Sequence, residues 1–128
     1  MLGIFQQSQL RIEVPATSDA INRSLLQPIH LSKWLLVQGD ISTMSAEICL
    51  GDRFTTWIGL IQVDHQVDVV QPNCLRLLLS GGIHGFHEWY WGEGWVQSRL
   101  EGITILPVNL GQTLSLLRLR QFLQATGQ

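Results

Sequence analysis

Lysine is almost missing from this sequence. Lys33 is the only one, and the seven arginines that complete its eight basic residues are scattered along the chain. Set against ten acidic residues, they leave a formal net charge of −2. A surface that neutralises phosphates normally shows a basic stripe, so a nucleic-acid partner is not expected. Cysteine is scarce too. Cys49 and Cys74 stand apart with no C-x-x-C spacing, which reads as two reduced, half-buried thiols and not as a redox or metal motif. No run of about 18 apolar residues occurs, so no integral membrane segment is expected. Met1-Leu2-Gly3-Ile4-Phe5 carries no basic segment of the kind that opens a signal peptide. A reducing, cytoplasmic setting is the default.

What is present is an ordinary globular composition, 45% apolar and only 14% charged over 128 residues. That length suits one domain spanning 1–128, which can bury about two-thirds of its unfolded surface without disulfide staples. The first segment, Gln6 to Val14, alternates. Leu10, Ile12 and Val14 share one face and Gln9, Arg11 and Glu13 the other, as in a half-buried strand. Pro15 ends it. Thr17 or Ser18 offers an N-cap oxygen, and a helix is expected to about Gln27, where Pro28 stops it. A second short helix follows over about Ile29 to Leu35, anchored by Trp34.

A β-rich stretch comes next. Gly39-Asp40 and Gly51-Asp52 signal turns with a weaker strand between them. Strands are expected over Arg53–Leu60 and Gln62–Val70. In the second, Val63, His65, Val67 and Val69 point one way and Asp64, Gln66 and Asp68 the other. Pro72-Asn73 is a turn, and Leu75, Leu77 and Leu79 form another inward set opposite Arg76. After Ser80-Gly81-Gly82, a strand over Phe86–Trp91 turns at Gly92-Glu93-Gly94 into a long strand over Trp95–Leu106, with Gly102 as a bulge. Pro107 closes the sheet. A final helix is expected from about Leu110 to Ala125. Leu110, Leu114 and Leu117 make one stripe, and Leu116, Leu119, Phe122 and Leu123 a second on nearly the opposite side. A helix that is apolar on two sides is buried on two sides. The first stripe is assigned to a pocket. The second then needs another cover, and a homodimer partner meeting the C-terminal helix is the most economical one.

The order strand, two short helices, antiparallel strands, long final helix, together with Ile12-Glu13-Val14-Pro15-Ala16-Thr17-Ser18-Asp19-Ala20-Ile21 and the later Pro28 and Trp34, resembles the SRPBCC superfamily. That group includes START-like, Bet v 1-like and polyketide cyclase/dehydrase-like proteins. The resemblance implies an α+β helix-grip fold, in which a curved antiparallel sheet wraps a long C-terminal helix. It also implies a pocket between the two for a small hydrophobic molecule such as a lipid, a polyketide or a pigment. Fold alone does not choose among carriers, enzymes of the cyclase or dehydratase kind, and interaction modules without a ligand.

Candidate site residues follow from polarity on apolar faces. His65 shares a face with valines, where an imidazole can hydrogen-bond a ligand carbonyl or act as a base, or simply be a satisfied core histidine. Trp89, Tyr90, Trp91 and Trp95 make an aromatic wall for a flat ligand or a cross-strand packing cluster. The expected ligand-binding set is His65, Trp57, His87, Tyr90, Leu114 and Leu117. An enzyme would pair His65 with Tyr90 or Glu88. In His84-Gly85-Phe86-His87-Glu88 the two histidines fall on opposite strand faces with no third ligand nearby, so no metal is expected. No phosphate-cradling glycine loop and no nucleophile elbow occurs, so no cofactor is expected, and a triad of Ser98, His65 and Asp68 has no motif behind it. Gln97, Arg99 and Glu101 fit a solvated strand face, with Val96, Ser98 and Leu100 inside.

Overall fold

A computed structural model of the chain describes residues 3–35, 37–38 and 46–126. The architecture is α+β. Strand β1 (Ile4–Glu13) leads into α1 (Ser18–Leu26) and α2 (Pro28–Trp34). Strands β2 (Val37–Gln38), β3 (Arg53–Ile58), β4 (Ile61–Gln71), β5 (Cys74–Gly81), β6 (His84–Gly92) and β7 (Trp95–Thr104) follow, and α3 (Val108–Ala125) closes the chain. Among the described residues the strands form one antiparallel sheet in the order β1-β7-β6-β5-β4-β3-β2. All three helices lie on its inner face, a helix-grip arrangement.

Local chemistry accounts for the boundaries. Thr17 Oγ1 accepts from the Ala20 N–H at 3.1 Å and starts α1, and Asp19 in its first turn complements the helix dipole. Pro28 ends α1 and serves as the first residue of α2, where its missing N–H costs nothing. Trp34 is buried. Its indole N–H donates to the Ser24 carbonyl at 2.9 Å, and its ring meets Trp89 edge-on at 5.8 Å. The β4–β5 turn places Asn73 at φ +63°, a left-handed conformation that asparagine tolerates.

Three expectations are corrected. The two turns flanking the weak strand expected before Arg53 fare differently. Gly51 adopts φ +89° at a turn, whereas Gly39-Asp40 lies outside the described residues. Over residues 46–51 the chain makes bends and turns and no strand; the remainder of that stretch also lies outside the described residues. Gly102 is not a bulge. It pairs in register with Gly85 on β6 and Gln6 on β1. Both glycines are there because the backbones approach closely: a Cβ on Gly102 would sit 2.8 Å from the His84 carbonyl oxygen, and one on Gly85 would strike that of Glu101. The bulge is instead in β4, where the register shifts between Val67 and Val69. It turns Val69 to the outer face opposite Arg76 and brings Val70 inward opposite Leu75, so Val70 packs on the core.

The fourth correction concerns α3. Its buried line is Val108, Gln112, Leu116, Leu119 and Leu123, at helical spacing over the whole element. Leu116, Leu119 and Leu123 are 1%, 0% and 1% exposed, whereas Leu110, Leu114 and Leu117 are 65%, 51% and 40% exposed. The second stripe is therefore covered within the chain itself. The one assigned to a homodimer partner is the core of the protomer, with Phe122 half-buried beside it. The longer line wins because it packs on β1 and β7 and on α1 and α2, and it begins at Val108, before the expected start. Leu110, Leu114 and Leu117 are the leucines of α3 left partly exposed.

Candidate functional site

The inner sheet face and α3 enclose a cavity of about 380 Å³, within the range of small-molecule sites. Its floor is the inward leucine set of β5, Leu75, Leu77 and Leu79, which the alternation of that strand places together. Trp34 and Trp89 wall it on one side. Pro107, then Leu110, Gly111 and Leu114 of α3, and Gly59 at the β3–β4 turn border it as well.

A few polar groups interrupt this lining. His65 Nε2 and Thr56 Oγ1 share a hydrogen bond of 2.9 Å across β3 and β4, and the imidazole stacks on Phe54 at 4.7 Å. Burial pushes His65 down to about 4, against a weaker upward pull from Asp64. His87 lies 2.6 Å from Ser98 Oγ through its Nε2, and Ser98 is fully buried. Burial, with repulsion from His65 added, pushes His87 down to about 3. Both rings are thus neutral at physiological pH. Gln112 reaches down from α3, and its Nε2 donates to the Ser98 carbonyl at 2.8 Å, to Ser98 Oγ at 3.0 Å and to the Ser8 carbonyl at 3.2 Å. Three residues bordering the cavity each hold a buried polar atom without a partner: His65 Nδ1, Trp57 Nε1 and Gln112 Oε1.

Of the residues expected at the site, His65, Trp57, His87 and Leu114 border the cavity and Leu117 does not. Tyr90 is on the wrong side of the sheet. Strand parity puts it with Glu88 on the outer face, where its hydroxyl donates to Glu88 Oε2 at 3.2 Å. Glu88 lies between Arg99, at 3.5 Å, and Arg76, at 4.0 Å. The acid–base pairing of His65 with Tyr90 or Glu88 is therefore not assembled, because the sheet separates the partners. Nor is the triad, since Ser98 meets His87 instead and Asp68 pairs with Arg76 on the outer face at 3.3 Å. Arg99 and Glu101 form a surface pair at 2.9 Å. Cys49 is exposed, not half-buried, and Cys74 is intermediate. His84 is exposed while His87 is buried, and no group of three metal-ligating side chains occurs among the described residues.

Sequence reasoning missed Gln112, Ser98 as the partner of His87, and Arg118. The signal for Gln112 was there: it stands four residues before Leu116 and four after Val108, a polar side chain on the buried line of a helix.

No family model and no curated protein matches the sequence. Solved structures do match in fold. The Mll3558 protein from Rhizobium loti superposes with a TM-score of 0.75 at 12% identity, over 98% of this chain and 99% of that one. The Aha1 dimer from Colwellia psychrerythraea gives 0.66 at 16%, over 92% and 96%. DynU16, from the dynemicin biosynthetic locus, gives 0.66 at 18% over 92% of this chain, which spans 47% of that protein's length. At these identities the likeness is one of fold. Among the described residues no helix is long and apolar enough to cross a membrane.

Proposed function

We propose that this chain is an SRPBCC-like protein that holds a small hydrophobic molecule, of lipid, polyketide or pigment type, between its sheet and α3. The observation that carries this is the cavity itself. About 380 Å³ of space walled by leucine, valine and tryptophan is costly to keep in a protein that could have filled it with side chains. Apart from Arg118 on the α3 side, its few polar groups are uncharged, which suits orientation of a guest better than bond breaking. Ser98 is fully buried and does not border the cavity, so it has no access to a substrate as a nucleophile. Both histidines, held at about 4 and about 3, are unprotonated near neutral pH, and among the described residues no acidic side chain borders the cavity to pair with them. The fold neighbour from a biosynthetic locus adds support for a small-molecule ligand. A cytoplasmic setting belongs to the same proposal.

The test is native mass spectrometry of protein purified from its own host, followed by solvent extraction of whatever it retains. An organic molecule bound one to one is the expected result. Protein that is reproducibly empty, and whose melting temperature does not respond to a panel of apolar compounds, would count against a ligand-holding role.

A further inference from the structure

The cavity is apolar almost throughout, yet one permanent charge stands on its α3 wall. Among the described residues that border it, Arg118 is the only one with a charged side chain, both histidines being neutral. Arg118 is half-buried, and its Nε donates to the Trp34 carbonyl at 2.6 Å, which fixes the side chain against the end of α2. No carboxylate among the described residues lies within ion-pair distance of it. A guanidinium has five N–H donors in a planar fork, and the four on Nη1 and Nη2 are left over once Nε is engaged. Ser115, one turn earlier on the same helix, borders the cavity beside it and adds a hydroxyl.

A cation half-withdrawn from water against apolar walls favours a partner of opposite charge. Among the described residues no acidic side chain borders the cavity to repel one. We propose that the cavity takes an amphiphile: an apolar body lodged over Leu75, Leu77 and Trp89, and one terminal oxyanion, a carboxylate or a phosphate ester, gripped by the Nη atoms of Arg118. This rests on the ligand-holding role proposed above. It also fixes the direction of binding, with the charged end at the half-exposed arginine and the apolar end toward His65 and His87.

The test is calorimetric titration of the full chain at neutral pH with three ten-carbon probes below their micelle concentrations: decanoate, decyl phosphate and decanol. Charge-assisted hydrogen bonds make the two anions bind roughly ten- to a hundredfold tighter than the alcohol. In Arg118→Gln that gap closes while decanol affinity stays within about twofold; in Arg118→Lys part of the gap survives, because a point charge replaces the fork. Raising the salt narrows the wild-type gap. Equal affinities for decanoate and decanol in the unaltered protein overturn the proposal without any variant, as does a gap that persists in Arg118→Gln. Tight decanol binding with no preference spares the ligand-holding role and removes only the anion. Failure of all three probes to bind tells against both.

Discussion

Two buried neutral histidines should make this protein acid-sensitive well above the range where carboxylates protonate. In the unfolded chain both imidazoles take the ordinary value of 6.5; in the folded protein His65 is held at about 4 and His87 at about 3. Between those limits the unfolded state binds more protons than the folded one, so stability rises with pH and is lost as pH falls through 6.5. At pH 5 the folded values still lie a unit or more below the solution. The loss there is set mainly by the unfolded value, at about 2 kcal/mol for each histidine and about 4 kcal/mol for the pair. That is a large part of the 5–15 kcal/mol typical of a domain. Asp64 and Glu101, whose folded values are lowered by hydrogen bonds from Gln62 and Gln7 first of all, add their own loss mainly below pH 5, as their unfolded values are 3.8 and 4.5. Urea unfolding at half-unit steps from pH 7 to 5 measures the effect, and replacing both His65 and His87 by glutamine should flatten the slope whatever the variant's own stability. A wild-type curve that is level between pH 6.5 and 5, or an imidazole resonance of either ring titrating near 6.5 in the folded protein, would refute the burial argument.

Two smaller predictions test the corrected geometry. Leu119→Ala should cost about 2–5 kcal/mol in urea unfolding, whereas Leu117→Ala should cost less than about 1 kcal/mol; comparable losses would mean that both stripes are buried. Tyr90→Phe removes one outer-face hydrogen bond to Glu88, so it should lower stability by under about 1 kcal/mol and leave the affinity for any cavity ligand within about twofold in calorimetric titration.

Much of the fold was legible because its signals are local. Thr17 and Pro28 bracket α1, alternation marks β1, β4 and β5, and glycines mark the β5–β6 and β6–β7 turns. What was not legible depended on choices between equal local options. Both leucine stripes of α3 obey the same period, and only the sheet beneath decides which is covered. The Val-Asp-Val-Val stretch of β4 permits a bulge without announcing one. Strand parity alone already separated Tyr90 from His87, so its place among the pocket candidates was an error of inference more than of information. The contacts that hold His87 and Gln112 join residues 11, 14 and 104 positions apart, from Ser98 to His87 and Gln112 and from Gln112 to Ser8. Such meetings exist only once register and docking are fixed.

The start of α3 has no side-chain cap of its own from Pro107. Gln6 of β1 stands in for it, with its Nε2 donating to the Leu106 carbonyl at 2.9 Å and its Oε1 accepting from the Val108 N–H at 3.4 Å. That stitch has a temporal consequence. During synthesis β1 leaves the ribosome first and must wait for β7 before it has a sheet partner, an interval on the order of ten seconds at ordinary elongation rates. Through that time Leu10 and Ile12 have no sheet to join, and the start of α3 lacks its Gln6 contacts until the first strand is in place. A nascent chain stalled before β7 would display the apolar inner face of the sheet to whatever chaperone is at hand.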